Sequence, residues 1–241
     1  MYKIRMYKVL NNPDGVNYVF IPPDVKYNFK VLYDQCNTEE IFTINLFEQI
    51  VNNLISLDKK HYYMMELGCN SAYYSMMFNC MMRENNKKCS NYMIEAVPEN
   101  LERGINHFKI NNLNGTFSKY LIGNSDQINE RICSYFNIEQ AEIITHGSEA
   151  RTVEQLFEEY EIDYLDVLHC DIDHSELSML ETSKKLFQNQ KVQFLVLSTH
   201  GLDLHNKCLE FLKACDYQIL LNHDDEKNPI GFDLLIVAQA L

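Results

Sequence analysis

Apolar positions recur with two different periods along this chain. Between Glu39 and Leu57, residues Ile41, Leu46, Phe47, Ile50, Val51, Leu54 and Ile55 keep helical spacing, so that segment has one apolar face and a helix is predicted. Either Asn37 or Thr38 is placed to cap it, and Glu40 gives Asn37 the capping-box spacing. After this helix, short continuous apolar runs alternate with helical patterns. Strands are predicted over 62–67, 92–96, 117–122, 164–170, 192–198, 217–221 and 232–238, and helices over 72–82, 98–111, 153–160, 175–187 and 204–215. The run 141–145 reads either as a further short strand or as a loop. Near the N-terminus, residues 2–10 and 16–21 are rich in Tyr, Val and Ile and flank Asn12-Pro13-Asp14-Gly15, the pattern of a β-hairpin.

Strands alternating with helices over so long a stretch predict an α/β architecture, a parallel sheet with helices on both faces. The last two strands differ, because only the polar stretch 222–231, with Asn228-Pro229 inside it, separates them. A parallel crossover needs about a dozen or more residues, so this pair is expected to be antiparallel. The expectation is a mostly parallel seven-stranded sheet with an antiparallel last strand over 38–241, preceded by a hairpin extension over 1–37. The hairpin is suited either to covering the cleft or to making a dimer contact.

Composition narrows the partners. The formal net charge is −13, and binding through a nucleic-acid backbone relies on Lys and Arg neutralising phosphates. No nucleic-acid polymer is expected as a partner; a small molecule is. The eight Cys residues, at 36, 69, 80, 89, 133, 170, 208 and 215, form no CxxC and fit neither a zinc module nor a disulfide framework. They are expected to be reduced thiols in a cytoplasmic protein. Met1-Tyr2-Lys3-Ile4-Arg5 carries no signal-peptide pattern, and no apolar run reaches about 18 residues, so no membrane partner is expected.

Chemistry concentrates at the predicted strand ends. A strand ends near Glu66, Gly68 permits a tight turn, and a helix begins near Ala72. In open α/β sheets ligands bind beyond the carboxyl ends of the strands. A dinucleotide site calls for G-x-G-x-x-G, whereas Gly68-Cys69-Asn70-Ser71-Ala72-Tyr73 holds one glycine. This weakens a nicotinamide oxidoreductase reading. Glu95 ends the next strand, where an acidic side chain can accept hydrogen bonds from ribose hydroxyls.

The stretch Glu66-Leu67-Gly68-Cys69-Asn70-Ser71-Ala72-Tyr73-Tyr74-Ser75 resembles the D-x-G-x-N-x-G-x-x-S loop of the FkbM family of methyltransferases. Glu95-Ala96-Val97-Pro98-Glu99-Asn100-Leu101 is similar to that family's E-P-x-P-x-N-L segment, and Asn111-Asn112 fits the Asn-rich end of the helix after it. Ile122-Gly123-Asn124-Ser125-Asp126 is similar to its small-residue-plus-Ser-Asp segment, and Thr152-Val153-Glu154-Gln155-Leu156 to its T-L-D-x-L helix start. Ile162-Asp163-Tyr164-Leu165 together with Leu168-His169-Cys170-Asp171-Ile172-Asp173-His174-Ser175-Glu176 resembles I-D-x-L-K-I-D-V-E-G-x-E. The likeness covers about residues 40 to 240. It implies a class I methyltransferase fold, Rossmann-like, with S-adenosylmethionine as methyl donor. It also implies a donor site drawn from Glu66, Gly68, Asn70, Ser75, Glu95, Asn124, Ser125 and Asp126. Glu66 and Gly68 would meet the methionine part, Glu95 the ribose, and Asn124, Ser125 or Asp126 the adenine. Three positions depart from the pattern: Ala72 for the second Gly, Val97 for the first Pro, and Asp173-His174 for Glu-Gly. Ala72 is expected to enter the helix without strain.

In the class I strand order Asp171 and His200 end neighbouring strands and face one another. The preferred reading makes His200 the base that removes the acceptor's proton, oriented by Asp171. The alternative is a divalent metal on Asp171, Asp173 and His200, with His174 or His205 as further candidates. Asp173 is equally suited to capping the helix that follows, and His205 and His169 are read as structural. The Met cluster 76, 77, 81 and 82 is read as core. No N-P-P-Y segment follows the fourth strand, and Ile21-Pro22-Pro23-Asp24 comes too early, so adenine-amino methylation is disfavoured. The function expected is O-methylation of a hydroxyl on a small molecule or sugar-like metabolite. The alternatives are N-methylation of a small-molecule amine and a catalytically silent cofactor-binding protein.

Overall fold

Three short strands open the chain in a computed structural model that describes residues 8–11, 17–20, 30–32, 41–124, 148–224 and 234–241. Strands β1 (Lys8–Asn11), β2 (Asn17–Phe20) and β3 (Lys30–Leu32) pair antiparallel in that order. The first two pair antiparallel within the segment where a hairpin was expected, and the residues 12–16 between them lie outside the described residues; the third strand was not predicted. Asn37, Thr38 and the boundary drawn between them lie outside the described residues.

The rest alternates as the apolar pattern predicts. Helix α1 (Ile41–Ser56) precedes β4 (His61–Leu67), α2 (Tyr73–Glu84), β5 (Lys88–Ile94), α3 (Pro98–Ile110) and β6 (Thr116–Ser118). Then come β7 (Tyr120–Ile122), β8 (Glu149–Arg151), α4 (Val153–Glu159), β9 (Leu165–Cys170), α5 (Glu176–Thr182) and α6 (Lys184–Gln188). The chain closes with β10 (Val192–Thr199), α7 (Leu202–Ala214), β11 (Tyr217–His223) and β12 (Leu234–Ala240).

Seven strands form one sheet in the order β11-β12-β10-β9-β4-β5-β6. β12 runs antiparallel to both β10 and β11, and the other neighbouring pairs are parallel. The sequence states why. β12 carries the unbroken apolar run Leu234-Leu235-Ile236-Val237-Ala238, buried throughout, whereas β11, buried only at Tyr217, alternates half-buried and exposed residues as an edge strand does. Helices cover both faces: Phe47, Leu54, Met76 and Met77 pack over Tyr62 and Met64 on one. Leu156, Phe187 and Leu212 belong to the cluster of Met65, Leu67 and Leu168 on the other. Each such side chain, fully buried, contributes on the order of 1.5–3 kcal/mol.

Several expectations are corrected. The strand predicted over 117–122 divides at Lys119: Phe117 and Ser118 stay with β5, while Tyr120–Ile122 pairs in parallel with Glu149–Arg151. The helix predicted over 175–187 breaks at Ser183, whose buried hydroxyl accepts a hydrogen bond from the Val153 backbone N–H. β5 starts at Lys88 and ends before Glu95. The segment 141–145 lies outside the described residues.

The order of strands reverses direction between β4 and β9. From β4 the chain moves outward to β5 and β6; from β9 it moves the other way. The crevice beyond these two strand ends is where such sheets bind ligands.

Candidate active site

The turn after β4 is built by backbone constraint. Gly68 has φ +70, and a Cβ there would sit 1.7 Å from the Asp171 carbonyl oxygen. Only glycine fits that approach of β4 to β9, which the Asp171 N–H to Leu67 carbonyl bond of 3.0 Å maintains. Gly68 and Cys69 both donate to the Ile94 carbonyl at 2.9 and 3.0 Å, folding the loop over β5. Behind it, Gly104 of α3 lets that helix approach closely: a Cβ there would lie 2.9 Å from Phe117 and 3.2 Å from Ala72. His107, also on α3 and fully buried, meets the Ser71 carbonyl through Nδ1 at 2.8 Å.

Ala72 corrects an expectation. It is the N-cap of α2 with φ 59 and ψ 38, left-handed, and it offers no side-chain cap. The left-handed region costs a non-glycine residue about 1–2 kcal/mol, so alanine does not enter this helix free of strain. Glu66 supplies the missing cap from the strand: its Oε2 accepts from the Ser75 N–H at 2.9 Å, and it is 2% exposed. Ser75 is fully buried, and its carbonyl accepts from the Asn91 side chain at 2.9 Å. Ser75, expected as a donor contact, fixes the Glu66 carboxylate through its backbone N–H.

Glu95 ties the same loop from β5. One carboxylate oxygen accepts from the Asn70 N–H at 2.9 Å and the other from the Val97 N–H at 2.8 Å. Burial raises its pKa above the usual glutamate value, and the backbone N–H groups pull the other way. Each oxygen retains a lone pair for a further donor.

A cleft of about 140 Å³ opens at this switch point, with Glu66, Gly68, Asn70, Tyr74, His169 and Asp171 among its walls. A larger open hollow of about 520 Å³, lined by Glu154, Ile162, Asp163 and Lys191 among others, sits at the amino ends of β9 and β10. It is remote from the strand tips and gathers no convergent chemistry. Asn124 is exposed and donates its backbone N–H to Ser178 Oγ at 3.0 Å; it is not a wall of the described cleft. Ser125 and Asp126 lie outside the described residues.

Asp171 and His200 do face one another, but at 3.6 Å from Nε2 to Oδ1 they are beyond hydrogen-bond distance. The carboxylate that holds the imidazole is Glu176, whose Oε1 lies 2.8 Å from His200 Nδ1. Glu176 was missed as a site residue, although the last position of the I-D-x-L-K-I-D-V-E-G-x-E likeness falls on it. It is fully buried, its Oε2 without a hydrogen-bond partner among the described residues.

The metal set also changes. Asp171, Glu176 and His200 offer ligand-type atoms within 4.8 Å of one another. Asp173, expected in that set, is 76% exposed at its side chain and lies 3.4 Å from His200 Nε2. Nor is it a helix cap, since Ser175 holds the N-cap position. Asp173 and His174 have φ 44 and 68, consecutive left-handed residues, and the His174 ring lies 5.1 Å from that of His200. The family pattern has glycine at the second of these positions, and the backbone here shows the reason. His205 is excluded as a ligand because Thr199 and Asn222 occupy both its ring nitrogens at 2.7 Å.

The sheet order and the crevice between β4 and β9 define a class I methyltransferase fold. The methyltransferase FkbM domain matches residues 67–219, and the chain belongs to that family. Among solved structures, WbdD aligns with TM-score 0.51 at 12% identity over 83% of this chain and 40% of its own. Precorrin-6y C5,15-methyltransferase from Geobacter metallireducens aligns at 0.49 and 12%, over 88% and 94% of the two chains. A putative rRNA-methylase from Clostridium thermocellum gives 0.49 and 10%, over 80% and 93%. At 12% identity the likeness to WbdD carries the fold alone, and this chain spans 40% of the length of WbdD. No curated protein matches the chain significantly.

Proposed function

We propose that the chain is an S-adenosylmethionine-dependent methyltransferase acting on a hydroxyl of a small molecule or sugar-like metabolite. The observation that carries the reading is the His200–Glu176 pair, 3.6 Å from the Asp171 carboxylate that lines a cleft walled by Glu66 and by the loop residue Asn70, which Glu95 holds. The residues present fit the donor: two nearly buried carboxylates at adjacent strand tips, one for each polar end of an adenosyl-methionyl group, and one glycine rather than a phosphate cradle. The donor supplies a methyl group on sulfur that is already activated for transfer.

What remains for the protein is placement and proton removal. Glu176 accepts the Nδ1 proton of His200, which leaves Nε2 facing Asp171 and Asp173 as the proton acceptor. Nε2 would take the proton of the acceptor hydroxyl. A bound donor would supply the methyl group to that oxygen and keep the carbon–sulfur electron pair on its sulfur.

A second reading rests on the closeness of Asp171, Glu176 and His200: a divalent cation held there would lower the pKa of the hydroxyl. The 2.8 Å contact between Glu176 and Nδ1 favours the base. The experiment is methyl transfer from labelled donor to a panel of hydroxylated and amine acceptors, with and without divalent cation. With a hydroxyl acceptor, His200→Ala is expected to lower kcat by about 10²–10⁴-fold while S-adenosylhomocysteine affinity stays unchanged. Glu176→Gln should displace the pH profile of kcat/KM. Unchanged turnover in His200→Ala would remove the base, and strict cation dependence would favour the metal.

A further inference from the structure

A buried histidine with a purely structural task normally has its ring nitrogens bonded, as His205 does through Thr199 and Asn222. His169 is buried as deeply, 4% exposed, yet neither Nδ1 nor Nε2 has a hydrogen-bond partner among the described residues. Its ring stacks on Tyr74 with centroids 4.0 Å apart and meets Phe47 edge-on at 6.3 Å. Two orphaned polar atoms on one buried ring are costly, and such groups call for a partner absent from the bare fold. A phenylalanine would fill the same aromatic stack without that cost.

The ring lies in the wall of the donor cleft. His169 on β9 is the in-register neighbour of Glu66 on β4, and Glu95 follows β5 on the other side of β4. A donor whose ribose meets Glu95 and which crosses Gly68 therefore brings its opposite end towards β9. A neutral imidazole has one N–H to give and one lone pair to receive. The aminocarboxylate end of the donor presents the complementary pair, an ammonium and a carboxylate.

We infer that His169 binds the aminocarboxylate end of the methyl donor, giving one hydrogen bond and accepting another at the β9 wall of the cleft. This rests on the donor assignment made under Proposed function. It adds a polar contact that the family likeness does not provide, since histidine stands where that pattern has lysine.

The test compares two ligands by calorimetry: S-adenosylhomocysteine, and 5′-methylthioadenosine, which keeps the adenosine and the sulfur but lacks the aminocarboxylate end. His169→Phe is expected to weaken S-adenosylhomocysteine by about tenfold to a hundredfold, the range for hydrogen bonds to charged groups. Its affinity for 5′-methylthioadenosine should be unchanged, and the melting temperature of the ligand-free protein should not fall. His169→Asn should recover part of the loss. His169→Leu gives the same comparison if the phenylalanine does not fit. S-adenosylhomocysteine affinity within about twofold of the parent, or equal weakening of both ligands, overturns the inference. Failure of the parent protein to bind S-adenosylhomocysteine overturns the donor assignment and this inference with it.

Discussion

His169 and His205 sit at similar depth in the fold, yet one has both ring nitrogens bonded and the other has neither. The difference has a thermodynamic signature that needs no ligand. In the folded state His169 stays neutral down to about pH 3, whereas in the unfolded chain it protonates near the ordinary value of 6.5. Between those limits the unfolded state binds the extra proton. Stability from this group is therefore fully present above about pH 6.5 and is lost along a falling slope as pH drops towards about 3. Denaturant unfolding at pH 7, 6 and 5 should show that slope as the difference between the parent and His169→Phe, and identical slopes would count against it. The sequence reading placed His169 inside an apolar strand and so read it as structural. Burial is legible from the apolar run around it, but the absence of a hydrogen-bond partner depends on Tyr74 and Phe47 arriving from two helices. Glu176 escaped for a related reason: only the packing of α5 against α7, beyond the end of β10, brings its carboxylate to His200.

At the scale of elements, left-handed backbone separates what glycine must do from what this chain tolerates. Gly68 is obligatory, through its φ of +70 and the 1.7 Å approach to the Asp171 carbonyl. Gly68→Ala should destabilise the protein by on the order of 3–5 kcal/mol, read by denaturant unfolding, and abolish S-adenosylhomocysteine binding. Ala72 and His174 hold left-handed conformations with φ 59 and 68, so Ala72→Gly and His174→Gly should each stabilise by up to about 1 kcal/mol. No gain at either site would mean that the lost side-chain contacts outweigh the relief. The helix-strand pattern itself was largely legible, because apolar periodicity marks faces directly: α1, α2, β4, β9 and β12 fall where their apolar runs lie. The breaks were not. Lys119 divides a strand because Tyr120–Ile122 finds a separate partner in Glu149–Arg151, and Ser183 divides a helix because its hydroxyl answers Val153. Both are tertiary events with no mark in local periodicity.

On the scale of the whole molecule, one topological fact organises the chemistry. The strand order reverses between β4 and β9, and the carboxylates of Glu66 near the end of β4, Glu95 just past β5 and Asp171 just past β9 gather at the same end of three adjacent strands. That convergence was readable as a spacing of motifs, and the sheet turns the spacing into a cleft. The most direct test is calorimetric titration of S-adenosylhomocysteine and NAD into the parent protein and Glu95→Ala. The account predicts one-to-one binding of S-adenosylhomocysteine, its loss or marked weakening in Glu95→Ala, and no heat from NAD. Absence of S-adenosylhomocysteine binding to the parent, or affinity untouched by Glu95→Ala, would contradict it.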